Sequence, residues 1–136
     1  LTDDFSASYL VEKSKQRKKT IKQHIMDNHI VVGVGNIYAC EALYMAGIHP
    51  QREAGRVSKA RLTDLRKTIR QVLQRSIEQG GTTLKDFTQS DGQPGYFKQQ
   101  LNVYDREAQP CRKCEAPIKR IVLGQRSTFY CPKCQK

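Results

Sequence analysis

Tryptophan is absent from this chain of 136 residues, methionine occurs twice, and apolar residues make up only 38%. So thin an apolar complement suits one small domain, or a modest domain with an appendage, and argues against a large layered body. No stretch approaches the roughly 18 consecutive apolar residues of a membrane-crossing helix, so no membrane partner is expected. Acid is scarce too, with 13 Asp and Glu against 24 Lys and Arg and a net charge of +11. Cysteine is nearly missing before residue 111, where Cys40 stands alone, and the other four fall in the last 26 residues. A secreted disulfide protein shows an even, dispersed set, so this distribution reads as metal binding in a reducing, cytoplasmic setting. The chain opens on Leu1 rather than Met, which reads as a fragment or a processed piece of something longer.

The bases are clustered. Lys13, Lys15, Arg17, Lys18, Lys19 and Lys22 fall together, with no acid from Lys13 to Met26. Beyond residue 110, Arg112, Lys113, Lys119, Arg120, Arg126, Lys133 and Lys136 face Glu115 alone. Clustered bases point to a polyanion, most often nucleic acid, and the bland alternative is a solvated face kept for solubility.

Helical signals dominate the first two thirds. Thr2 or Asp3 begins a helix of about ten to twelve residues with Phe5, Tyr9 and Leu10 at helical spacing. Thr20 caps a short second helix, Ile21, Ile25 and Met26 inward, with Lys22 in its first turns. A third runs from an Asn36 cap to about Ala46, burying Ile37, Cys40, Leu43 and Tyr44, and stops at Gly47 before Pro50. Residues 48–57 read as a connector. Ser58 caps the clearest helix, to about Gln79, in which Leu62, Leu65, Ile69, Val72, Leu73 and Ile77 keep a period near 3.6. Gly80-Gly81 ends it. Residues 81–104 show no sustained periodicity, a length that is either a functional loop or a disordered insert. Leu101–Tyr104 reads as a short extended piece and Arg106–Pro110 as a polar hinge.

The sharpest motif is Cys111-x2-Cys114-x16-Cys131-x2-Cys134. Two such knuckles set four thiolates around one Zn2+ and leave no position for water, which makes the metal structural. Two disulfides or a redox pair are the alternative. Between the knuckles, Ile118–Leu123 and Ser127–Cys131 read as strands with Gly124-Gln125-Arg126 at the turn. Arg126 then sits where a rigid scaffold can present a guanidinium to a phosphate or a groove, unless it is simply exposed.

A second motif is Ile30–Gly35, an apolar run entering a glycine-broken turn ahead of Asn36. Tyr38 stands where a dinucleotide fingerprint needs its third glycine, so a helix–turn–helix corner fits better. Glycine permits positive φ and leaves amides uncovered, and a helix start attracts anions. The corner is either a phosphate site or an ordinary connector. His24, His29 and His49 are isolated and read as surface or packing residues, and Cys40 as an apolar filler. Glu41 and Asp27 are candidates for a carboxylate pair.

Taken together, Ile25-Met26-Asp27-Asn28 and Val31-Val32-Gly33-Val34-Gly35-Asn36-Ile37-Tyr38-Ala39 resemble the helix–two-turn–helix signature of the formamidopyrimidine-DNA glycosylases. Ala46-Gly47-Ile48-His49-Pro50, Ser76-Ile77-Glu78-Gln79-Gly80-Gly81-Thr82-Thr83-Leu84, Tyr104, the four cysteines and Gln125-Arg126-Ser127-Thr128-Phe129-Tyr130 extend the match along the chain. Endonuclease VIII is similar, less closely.

The resemblance implies a mainly α fold, a helix–two-turn–helix bundle followed by a small zinc-bound β-hairpin. Residues 1–105 would form the DNA-binding domain, with a lesion-capping loop at about 81–104, and 106–136 the four-cysteine zinc finger. It implies excision of oxidised purines (8-oxoguanine, formamidopyrimidines) from double-stranded DNA, strand cleavage at abasic sites by β,δ-elimination, and a cytoplasmic monomer. By family position Lys22 and Asn36 hold phosphates flanking the extruded nucleotide, Arg17, Gly35 and Lys85 contact DNA, and Arg126 grips phosphate and donates a proton in δ-elimination. In that family the nucleophile is an N-terminal proline amine followed by glutamate on a β-sandwich domain. Here Leu1 and Thr2 hold the first positions, so this chain alone is expected to bind DNA without catalysis. A non-catalytic zinc-ribbon module that binds nucleic acid is the alternative.

Overall fold

The computed structural model describes residues 7–27, 35–78 and 101–136, with side chains 7 and 76–78 set aside. The elements in chain order are α1 (Ala7–Ser14), α2 (Ile21–Met26), α3 (Asn36–Ala46), a 3-10 turn (Ala54–Arg56), α4 (Lys59–Glu78), β1 (Lys119–Leu123) and β2 (Arg126–Tyr130). Helix and a small hairpin carry the described fold, as expected. The Thr2 or Asp3 helix start, Phe5, His29, Ile30 through Val34, the Gly80-Gly81 stop and most of the 81–104 stretch, Lys85 included, lie outside the described residues.

The predicted caps have physical counterparts. Thr20 Oγ1 accepts from the Gln23 backbone N–H at 3.2 Å and donates to the Gln23 side-chain oxygen at 2.8 Å, which starts α2. Ser58 Oγ accepts from the Arg61 N–H at 3.2 Å, which starts α4. Gly47 ends α3 in the left-handed region at φ 72°, its N–H turned back to Leu43 and Tyr44 carbonyls. Asn36 is not the cap of α3. Gly35 is, and Asn36 is the first helical residue, its amide committed elsewhere.

Helix α3 buries every residue from Ile37 to Tyr44 rather than one stripe, because it packs against α4, α2 and β2 together. It therefore joins two cores. Ile37, Ala39, Ala42 and Leu43 pack with Leu10, Ile21, Ile25, Leu62, Leu65 and Ile69 in the helical core. Cys40 and Tyr44 pack with Val103, Cys111, Ile118, Phe129 and Cys131 in the core beneath the hairpin.

Three connecting stretches differ from expectation. Residues 48–57 contain the 3-10 turn and pair with the basic run, Ile21 N–H donating to Arg52 O at 2.7 Å and Ala54 N–H to Lys19 O at 2.9 Å. Leu101–Tyr104 forms no strand; it bends over the Glu41 carboxylate, which accepts from the N–H groups of Asn102, Val103 and Tyr104 at 2.7, 2.9 and 3.0 Å. The hinge stretch is tied down, with Ala108 N–H on Ile118 O and Ile118 N–H on Gln109 O.

In the hairpin, Lys119 to Leu123 pair in register with Tyr130 back to Arg126. Gly124 and Gln125 alone form the turn, both at positive φ (55° and 66°), as a two-residue turn matched to strand twist requires. Arg126 is thus the first paired residue of β2, opposite Leu123. A Cβ on Gly124 would lie 2.7 Å from Gln23 Nε2, the movable end of a side chain on α2, so it is the positive φ rather than this contact that favours glycine there.

Candidate nucleic-acid interface and metal centre

The cysteine module comes first because it fixes the hairpin. The four Sγ atoms of Cys111, Cys114, Cys131 and Cys134 lie within 4.8 Å of one another. Cys111 to Cys134 is 3.8 Å and Cys114 to Cys131 is 3.4 Å. A tetrahedron of Zn–S bonds near 2.3 Å has edges of about 3.8 Å, so the donor set fits one zinc ion. These separations are well beyond the roughly 2.05 Å of an S–S bond, and all five cysteines are free, which removes the disulfide alternative. Four sulfurs fill the coordination sphere, and the zinc is structural.

The hydrogen-bond pattern supports the same chemistry. Lys113 N–H and Cys134 N–H point at Cys111 and Cys131 sulfurs, both at 3.4 Å. Burial works against a charge on Cys111, but hydrogen bonds from the Tyr44 hydroxyl and from backbone N–H groups pull its thiol below the usual range, while burial and the neighbouring sulfurs push Cys131 and Cys134 up, so the crowded thiols divide their protons among them. Cys40 behaves unlike Cys111: burial pushes its thiol up, as befits an inert filler.

Lys22 lies at the seam between helices and hairpin, 1% exposed. Its ammonium donates to Asn36 Oδ1 and, at 2.6 Å, to Thr128 Oγ1. Asn36 Nδ2 in turn donates to the Ser127 carbonyl at 2.9 Å. Thr128 completes the chain by donating to the Arg126 carbonyl at 3.2 Å. The Tyr104 ring meets the Phe129 ring edge-on, centroids 5.1 Å apart. Burial lowers the Lys22 pKa, and the Arg126 charge lowers it further while Cys40 partly offsets both. Arg126 acts on Tyr104 as well, so its charge belongs to this group although its side chain is exposed.

Of the residues singled out from sequence, Lys22, Asn36 and Arg126 therefore come together. Arg17 belongs to another neighbourhood: exposed, its Nε donates to Lys13 O at 3.3 Å, and its charge depresses His24. Gly35 is extended at φ −85°, so positive φ does not explain it, and no described atom lies within 4 Å of its Cβ position. Asp27 and Glu41 are not a pair. Asp27 meets Lys19 at 3.4 Å, whereas Glu41 holds residues 102–104. His24 is a packing residue, its Nε2 3.2 Å from Ser14 Oγ, and His49 packs tilted against the Tyr130 ring, centroids 4.5 Å apart. Gln135 went unnoticed in the sequence, and Thr128, Glu41 and Tyr44 were singled out there without the partners they meet here. No spacing connects such distant partners, and only the two-residue phase of β2, which puts Thr128 on one face with Arg126, hints at one of these meetings.

A helical body locked to a four-cysteine zinc hairpin across a buried lysine defines a helical module with an attached zinc finger. The family description "Formamidopyrimidine-DNA glycosylase H2TH domain" matches residues 1–88, and "Zinc finger found in FPG and IleRS" matches residues 108–136. The chain belongs to the formamidopyrimidine-DNA glycosylase family.

It is 59% identical over 136 residues to the formamidopyrimidine-DNA glycosylases of Alteromonas mediterranea and Alcanivorax borkumensis, covering 100% of this chain and 51% of each relative. The crystal structure of the MutM (Fpg) protein from Thermus thermophilus superposes with a TM-score of 0.88 at 36% identity, over 99% of this chain and 52% of that one. The Lactococcus lactis Fpg structure, a complex with DNA containing an abasic site, gives 0.87 at 32% identity, over 99% of this chain and 49% of that one. The chain thus spans about half the length of its relatives.

Proposed function

We propose that this chain is the damaged-DNA-binding half of a base-excision-repair glycosylase and abasic-site lyase. The whole protein would remove 8-oxoguanine and formamidopyrimidines from double-stranded DNA and cut the abasic strand by β,δ-elimination. One observation carries the reading: the Lys22–Asn36–Thr128 interlock draws the start of α3 and the arginine-bearing hairpin into a single basic grip. Lys22, Gly35, Asn36 and Arg126 would hold the backbone around the extruded nucleotide, with Arg17 and Lys85 as further DNA contacts. Arg126 would serve the δ-elimination as proton donor. The nucleophile belongs to the other half of the protein, so the chain by itself binds DNA as a cytoplasmic monomer without cleaving it. The division near residues 105 and 106, with a capping loop at 81–104, is part of the same proposal.

Fluorescence anisotropy tests it with three probes: a duplex carrying an abasic-site analogue, the same duplex undamaged, and an RNA duplex. Preference for the first is expected, with log K falling by about 0.9 for each phosphate neutralised as log salt rises. Arg126→Ala should weaken binding and lessen that slope by about one phosphate. Equal affinity for all three probes would favour the plain zinc-ribbon module. An unchanged affinity in Arg126→Ala would remove that residue from the interface.

A further inference from the structure

The zinc module is fastened to the helical body at sites distinct from the basic seam. Tyr44, from the last turns of α3, is 2% exposed, and its hydroxyl oxygen lies 3.2 Å from Cys111 Sγ, 67 residues away. Lys113 Nζ sits 5.1 Å over the centre of the same ring. Gln135, also buried, accepts from the Cys131 N–H at 2.8 Å and donates to the Ile48 carbonyl at 2.9 Å.

The direction of the Tyr44 contact follows from the ligand chemistry. A thiol and a phenol can each donate, but a zinc ligand is a thiolate without a proton. With metal bound, the phenol must donate and the sulfur must accept. Four thiolates around one dication also leave excess negative charge on the sulfurs, and a half-buried centre of that kind gains from a donor aimed at it. Gln135 meanwhile fixes the backbone at the second knuckle.

We propose that Tyr44 is a positioning residue of the metal centre, a hydrogen-bond donor from outside the cysteine module that holds the Cys111 thiolate on zinc. The partners around ligating atoms typically change metal affinity about 10- to 100-fold when removed. The inference does not depend on any DNA-binding role for the chain.

Tyr44→Phe is the test, because it keeps the ring, its packing and the Lys113 contact and removes only the hydroxyl. Zinc release from the intact chain is followed with a competing chromogenic chelator and is expected to accelerate by about tenfold or more. In parallel, zinc is replaced by Co2+ and the sulfur-to-cobalt charge-transfer absorption is recorded. Loss of a donor raises the energy of the sulfur lone pairs, so the band is expected to move to longer wavelength. A purely packing role for Tyr44 would not move it. An unmoved band overturns the proposal whatever the release rate, and an unmoved release rate overturns the holding role.

Discussion

Lys22 Nζ and Thr128 Oγ1 lie 2.6 Å apart although 106 residues separate them, and both residues are buried. Through this contact the helical body and the hairpin share one charged group, which makes their stabilities interdependent.

Replacing Thr128 with valine keeps the shape and removes an acceptor from the Lys22 ammonium and a donor from the Arg126 carbonyl. Stripping a partner from a buried polar group costs about 1–3 kcal/mol. Denaturant unfolding of Thr128→Val should show a lower midpoint with the same slope. A midpoint equal to that of the parent chain would mean that Asn36 alone satisfies Lys22.

The Glu41 carboxylate orders residues 102–104 by accepting three backbone N–H groups. Glutamine in its place offers one oxygen and turns an amide donor toward a backbone donor. Bonds to a charged acceptor are worth about 1.5–3 kcal/mol each, so Glu41→Gln should release this stretch. Amide hydrogen exchange at Asn102, Val103 and Tyr104 should speed up selectively, and unchanged protection there would contradict the assignment.

His24 sets a pH dependence. Burial lowers its pKa from the ordinary 6.5, Arg17 and Lys19 lower it further, and Asp27 partly opposes them. The unfolded chain therefore takes up a proton before the folded one as pH falls. Stability is fully present above about pH 6.5 and declines as pH drops through the folded value. His49 shifts in the same direction, from burial and from Arg52. Thermal unfolding between about pH 7 and 5 should show Tm falling with acid, less steeply in His24→Gln. Parallel profiles for the two chains would exclude His24 as a source of the slope.

Zinc removal should reach beyond the hairpin. Without the metal, residues 106–136 lose the bonds that organise them, and Lys22 loses the acceptor on β2. The helical circular-dichroism signal should then melt at lower urea in the presence of a chelator. An identical helical transition with and without zinc would show two independent modules.

What the sequence determined by itself is local. The 3.6-residue period and the Ser58 cap define α4, Gly47 ends α3, and cysteines paired with two residues between them make each knuckle nearly regardless of the rest. Such features depend on neighbours within a few residues, so residue type and spacing carry them. The expected Asn36 cap failed for the complementary reason. Its side chain is taken by Lys22 from α2 and by Ser127 from the hairpin, partners that reach it only in the packed fold. The same holds for Glu41 under residues 102–104, for Tyr44 on Cys111 and for Lys22 on Thr128. Each joins groups more than sixty residues apart, where no period or spacing connects them. Tertiary structure alone decided these meetings, because burying a charge or a hydroxyl is tolerable only where the packed fold supplies its partner.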